Sequence, residues 1–278
     1  MSYADVNGLS LYYEEHGTGD GGVDRTTPLI LLHGGYGTGD MFGPHLPELA
    51  KDRRVITADL QAHGRTADVD RPLRFATLAD DVAGLIRHLG LASADVLGYS
   101  LGGSAALRLA IQHPGLIRRL VIVSAPHKRD AWFPEVRGAF DTMGSHLAEP
   151  FKQTPLYEVY AQVAPRLEDW PVLLDKVGDL LRQDYDWSAE VAALTMPVLL
   201  AFGDADSIEI AEVAEFYRLV GGGLRDGNWD GSTRPAGRLA ILAGRVHTDM
   251  WAAPELATTV SAFLDTETLV PPPMGMPG

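Results

Sequence analysis

Residues 94–114 read ADVLGYSLGGSAALRLAIQHP, and their reading decides the fold. The opening ADVLGYS is a short β-rich run with the composition of a buried strand, and from Leu101 onward Leu101, Ala105, Leu109 and Ile111 recur at nearly helical spacing. At the junction stand Gly98, Tyr99, Ser100, Leu101 and Gly102, followed by Gly103. This is G-x-S-x-G in the strand–turn–helix setting that a nucleophile elbow requires. A sharp turn brings the residues two before and two after the serine close together, where only glycine-sized groups fit. The serine Oγ then projects above the sheet, at the positive end of the following helix dipole.

Outward from this stretch the same alternation continues. With ADVLGYS, the runs LSLYY from Leu9, LILL from Leu29, RVITADL from Arg54, LVIVSA from Leu120, PVLLAFG from Pro197 and RLAILAG from Arg238 make seven expected strands. The middle runs are almost continuous in Leu, Ile and Val, as in strands buried on both faces of a parallel sheet, and Leu78, Val82, Leu85, Ile86 and Leu89 give a helical stripe between two of them. The expectation is an α/β fold with a doubly wound, mostly parallel sheet. Residues 127–196 break the rhythm: they hold no β-rich run but carry Trp132, Phe133, Tyr157, Tyr160, Trp170, Tyr185 and Trp187. A structureless loop of that length is improbable in a compact domain, so a helical cap over residues 127–196 is expected on a core of residues 1–126 and 197–266. The ending LVPPPMGMPG places a disordered tail at 267–278.

Composition narrows the function. The 278 residues are 46% apolar, enough to bury a large core, and 23 Lys and Arg against 37 Asp and Glu give a net charge of −14. Such a surface repels phosphate backbones and anionic lipid, so neither nucleic acid nor membrane is an expected partner. There is no cysteine, which removes disulfides, thiolate zinc sites and cysteine nucleophiles together. The first residues have neither a basic n-region nor an apolar h-region, and no run approaches the ~20 apolar residues of a membrane span, so a cytoplasmic protein is expected.

A serine hydroxyl needs a base, and the base needs an orienting acid. Of nine histidines, His247 is best placed, after the last strand run and before a helix beginning near Pro254. AFGDADS supplies Asp204 and Asp206 as candidate acids. The chain order Ser, Asp, His is the one produced when these groups sit at the carboxyl ends of successive strands. An oxyanion needs two N–H donors. Leu101, next to the serine, offers one, and HGGYG after LILL offers the other, with Gly35 first and Tyr36 its alternative. A dinucleotide site in the same loop, with Asp59 at the end of the next strand, is argued against by spacing, because the third glycine of G-x-G-x-x-G would fall on Asp40. No H-E-x-x-H is present, and His45 and His63 are expected to be ordinary surface groups, so no metal and no cofactor is expected.

Taken in order, HGGYG, DLQAHGRT, GYSLGG, GDADS and GRVHTD resemble the motifs of capped α/β-hydrolase-fold serine hydrolases over about residues 3–265. The resemblance implies Ser100 as nucleophile, His247 as base and, counting G-x-x-D from Gly203, Asp206 rather than Asp204 as acid. It departs at Ala62, where a glycine is usual, and at Ser207 to Glu209, which lack the proline common after the acid turn. Haloalkane dehalogenases and epoxide hydrolases of this fold attack with aspartate where this chain has Ser100, which leaves acyl transfer. The expected reaction is hydrolysis of a small-molecule carboxylic ester or lactone. The alternatives are a C–C hydrolase, a cofactor-free perhydrolase, an aminopeptidase using cap carboxylates, and a ligand receptor on the same scaffold. Trp132 and Phe133, just beyond LVIVSA, are expected to line the substrate pocket with Tyr36.

Overall fold

A computed structural model describes residues 2–17 and 27–266, so the tail expected at 267–278 lies outside the described residues. Eight strands form one sheet: β1 (Ser2–Val6), β2 (Leu9–His16), β3 (Leu29–Leu32), β4 (Val55–Ala58), β5 (Ala94–Tyr99), β6 (Ile117–Val123), β7 (Val198–Ala205) and β8 (Arg238–Val246), in the order β1-β2-β4-β3-β5-β6-β7-β8. From β4 to β8 every pairing is parallel, whereas β1 and β2 form an antiparallel hairpin on β4. β1 was not among the seven expected strands. Asn7 and Gly8 both have positive φ, 50° and 77°, the geometry of a two-residue hairpin turn whose right-handed twist matches the strands it joins.

The strands alternate between two cores. In β3, Leu29 and Leu31 face one cluster, with Phe42, Leu256, Val260 and Phe263, while Ile30 and Leu32 face the other, with Leu78, Val82, Leu107 and Leu109. The helices of the sheet are α1 (Leu46–Leu49), α2 (Phe75–His88), α3 (Leu101–Gln112), and later α9 (Ile210–Leu219) and α10 (Pro254–Leu264). With α2 and α3 on one face and α10 on the other, both faces are covered, which is why the central strands carry no alternation with polar residues.

Between β6 and β7 the chain forms α4 (Pro134–Asp141), α5 (Ala148–Phe151), α6 (Pro155–Val163), α7 (Trp170–Leu181) and α8 (Ser188–Ala192), with short 3-10 turns between them. α7 buries Trp170, Leu173, Leu174, Val177 and Leu180, a stripe repeating at three and four residues. From its other side Lys176 Nζ reaches a core loop, donating to Asp68 Oδ2, Val69 O and Arg71 O at 2.6, 2.8 and 2.7 Å. Among the described residues no helix is long and apolar enough to cross a membrane.

Register fixes what stands at the sheet's carboxyl edge. Leu32 pairs with Gly98, Tyr99 with Val123, and Val123 with Ala201, so the chain leaves β3, β5, β6 and β7 side by side. Those exits begin at His33, Ser100, Ser124 and Asp206, and β8, paired to β7 up to Ala205↔Val246, delivers His247 next to them.

Candidate active site

Ser100 has φ 52° and ψ −118°, a backbone conformation costly for a side chain with a Cβ. The turn is held from outside: Ser100 N–H donates to Val123 O at 2.9 Å, and Ser104 N–H donates to Ser100 O at 3.0 Å. A Cβ on Gly98 would fall 2.1 Å from Gly102 O, and one on Gly102 would fall 2.3 Å from Leu32 O. Any other residue at either position therefore opens the turn.

Ser100 Oγ lies 3.0 Å from His247 Nε2, and His247 Nδ1 lies 2.8 Å from Asp206 Oδ1. Asp206 accepts four hydrogen bonds in all: from His247 Nδ1 and Ser207 N on Oδ1, and from Ser124 Oγ at 2.5 Å and Gly203 N on Oδ2. Burial pushes this carboxyl up, but the donors from His247, Ser124 and Gly203 outweigh it and hold the group below the usual carboxylate range. An ionised Asp206 keeps the imidazole proton on Nδ1 and leaves Nε2 to accept from Ser100 Oγ–H. Asp204 is elsewhere. Its Oδ1 accepts from Gly244 N at 2.7 Å and braces the turn of β8.

Two aromatic rings fix the imidazole. Tyr99 stacks on His247 at 5.6 Å and donates its hydroxyl to His247 O at 2.7 Å, and Trp132 meets the ring edge-on at 5.3 Å. Neither Tyr99 nor Ser124 was anticipated from the sequence. Tyr99 occupies an unspecified position of G-x-S-x-G. Ser124 is the polar end of an apolar strand, and its φ of 51° is a second strained exit beside the first.

Gly35 and Leu101, the expected donor pair, are neighbours: a Cβ on Gly35 would lie 3.7 Å from Leu101 Cδ1. Both line a cavity of about 590 Å³ over Ser100 and His247. Tyr36, with φ 62°, and Trp132 line it too. Phe133 does not. It stands at the start of α4 with φ −52° and ψ 145°, its N–H is bound to Ser207 O, and 36% of it is exposed, so the extended backbone there sends alternate side chains to opposite sides. The far wall comes instead from α6 and α7, through Leu156, Val159, Val163, Val177 and Leu181.

The expectation that His45 and His63 are surface groups is overturned: both are buried. His45 Nε2 donates to Trp251 O, and His63 Nδ1 donates to Gln61 O at 2.9 Å. Burial lowers His63 to about 3 and its neighbour His33 to about 4, so both rings are neutral, and His33 fixes the oxyanion loop by donating from Nδ1 to Gly34 O while Nε2 accepts from Leu60 N. Asp59 spends its carboxylate on Gly39 N and Arg65 N at 2.7 and 2.8 Å, so it braces two loops rather than facing a ribose. Among the described residues one group has ligand atoms close enough for a cation, His127, Glu212 and Glu215. Lys128 Nζ lies 2.6 Å from each of the two glutamates, and none of the group lines the cavity.

The family model described as alpha/beta hydrolase fold matches residues 27–161. A pimeloyl-[acyl-carrier protein] methyl ester esterase of Neisseria meningitidis is 30% identical over 222 residues, 72% of this chain and 84% of that protein. The chain belongs to the alpha/beta hydrolase family. Among other alpha/beta hydrolase relatives, a putative carbamate hydrolase RutD of Caulobacter vibrioides is 35% identical over 144 residues, 51% of this chain, and the match spans about half the length of that relative. The crystal structure of an enol-lactonase from Burkholderia xenovorans LB400 superimposes with a TM-score of 0.69 at 24% identity, covering 94% of this chain and 99% of that one, a likeness of fold.

Proposed function

We propose that this alpha/beta hydrolase is a serine hydrolase that cleaves a small-molecule carboxylic ester or lactone through an acyl-enzyme. The observation that carries the reading is the unbroken hydrogen-bonded path Ser100–His247–Asp206 opening onto a mostly apolar cavity. His247 Nε2 takes the hydroxyl proton as Ser100 Oγ attacks the carbonyl carbon, and Asp206 stabilises the imidazolium that results. The N–H groups of Gly35 and Leu101 receive the oxyanion. His247 gives its proton to the departing alkoxide, or to the ring oxygen of a lactone. It then deprotonates the water that releases the acid and regenerates Ser100. The ester and lactone hydrolases among the named relatives support this class, and the carbamate hydrolase among them marks a neighbouring substrate for the same acyl chemistry.

The test is labelling by a fluorophosphonate together with a panel of 4-nitrophenyl esters and lactones. Ser100 is the expected modified residue, and Ser100→Ala should abolish labelling and remove at least ~10³-fold of kcat while leaving the melting temperature unchanged or higher. A folded Ser100→Ala protein that still turns the panel over rejects the reading.

A further inference from the structure

The cavity wall is apolar except at one place. Ser104, one turn of α3 beyond Ser100, and Tyr185, at the returning end of the segment between β6 and β7, both line it with Trp132. The Tyr185 hydroxyl is hydrogen-bonded to the Trp132 side chain and to that of Ser104. The Tyr185 ring is wedged between Trp187, stacked at 4.4 Å, and Phe75, edge-on at 5.5 Å, and its carbonyl accepts from Arg129 N at 2.9 Å, so the hydroxyl is held in place. Tyr185 lies deep yet is not among the buried side chains, and it lines the cavity, so the cavity supplies surface it still exposes.

Proton counting gives the site its preference. Trp132 Nε1 only donates, so Tyr185 Oη accepts from it. The two hydroxyls, Ser104 and Tyr185, hold two protons, and the bond between them uses one. Ser104 Oγ makes no bond to the Ser100 carbonyl, which already takes Ser104 N–H. One O–H therefore remains for an acceptor in the cavity. The neighbouring cation, Arg129, is already compensated: its guanidinium donates to Asp141 Oδ1 at 2.5 Å and to Leu181 O at 3.1 Å.

We infer that the acyl part of the substrate carries a second, uncharged carbonyl oxygen, seated against Ser104 and Tyr185. This rests on the ester or lactone reading above. One helical turn is about 5.4 Å, which places the second oxygen about four bonds from the scissile carbonyl. A purely alkyl chain leaves the hydroxyl proton unpaired in an apolar wall, and a carboxylate meets an arginine that has spent its charge on Asp141.

The experiment compares 4-nitrophenyl pentanoate, 4-nitrophenyl 4-oxopentanoate and the mono-4-nitrophenyl ester of glutaric acid on the wild-type protein, Tyr185→Phe and Ser104→Ala. The quantity read is the ratio of kcat/KM for the oxo ester to that for the alkyl ester, which cancels general effects on the serine. Each substitution should lower this ratio three- to tenfold, the range of one neutral hydrogen bond, with the change falling mainly on KM. Melting temperatures identify a variant that has merely loosened, and the other variant then decides. A ratio unchanged in both folded variants overturns the inference while leaving the ester reading standing. So does a preference for the glutarate ester over the oxo ester. No turnover of any ester, with no labelling of Ser100, rejects the reading and the inference together.

Discussion

The sheet's carboxyl edge and the helical segment between β6 and β7 meet at one cavity but are held by different physics. At the edge, Ser100, Ser124, Asp206 and His247 follow strands whose register is set by backbone hydrogen bonds and by side chains buried on both faces. A one-residue slip would move every side chain to the other face, so positions there are fixed. The opposing wall stands on α6 and α7, where side-chain packing and a few polar ties such as Lys176 to the loop of Asp68 determine position. Replacing one apolar residue by another there changes the shape of the cavity without touching the reacting groups. The chemistry belongs to the first region and the choice of substrate to the second.

The sharpest way to break this division is at the acid. Asp206→Asn should lower kcat about 10³- to 10⁴-fold because the imidazole loses the partner that fixes its tautomer, whereas Asp204→Asn, which removes the same charge, should cost less than about tenfold. Steady-state kinetics on one activated ester checks both, and the reverse ranking would move the acid to the β8 turn. Next comes the wall. Trp132→Ala should lower kcat/KM for bulky esters about ten- to a thousandfold, and for an acetyl ester less, through the lost edge contact with His247. Phe133→Ala, outside the cavity, should change neither by more than about twofold. Equal losses in both variants across the ester panel, with lowered melting temperatures, would assign the two residues to packing.

A smaller effect tests the buried loops behind the edge. The unfolded chain takes up protons on His33 and His63 near pH 6.5, while the folded protein resists until about 4 and 3. Between these limits the unfolded state binds more protons, so stability contributed by each histidine falls as pH falls, by about 1.4 kcal/mol per pH unit at most. Urea unfolding of the wild type and His63→Gln between pH 7 and 4.5 should show a shallower loss in the variant, and parallel curves would mean His63 titrates normally. The smallest effect is at Ala62, whose φ is 65°. Ala62→Gly should raise stability by up to about 1 kcal/mol through relief of left-handed strain, read as a higher urea midpoint.

The same contrast explains what could be read in the sequence. Unbroken apolar runs and glycines at close backbone approaches leave strong signals, so the parallel strands, the elbow and the order Ser100, Asp206, His247 were legible. β1 was overlooked although Asn7-Gly8 is a hairpin signal, because SYADV alternates too weakly to register by itself. Ser124 and Tyr99 act only through neighbours brought by pairing, which no local pattern records. Phe133 was misplaced because sequence adjacency to Trp132 says nothing about facing, and in extended backbone adjacent side chains diverge. His45 and His63 looked like surface groups because a neutral buried imidazole has the same letter as an exposed one.

The roughly seventy residues between β6 and β7 leave and rejoin the sheet at adjacent strands, Leu120 pairing with Val198. Adjacent parallel strands are about 4.8 Å apart, so the sheet itself closes the ends of this excursion, whatever its length. Closure entropy grows only logarithmically, and halving or doubling the excursion shifts it by about 0.6 kcal/mol. The molecule is thus a socket with an exchangeable fitting. Transplanting a foreign segment between residues 127 and 196 should preserve the reactive serine while altering what reaches it, a route for engineering that leaves the eight strands untouched.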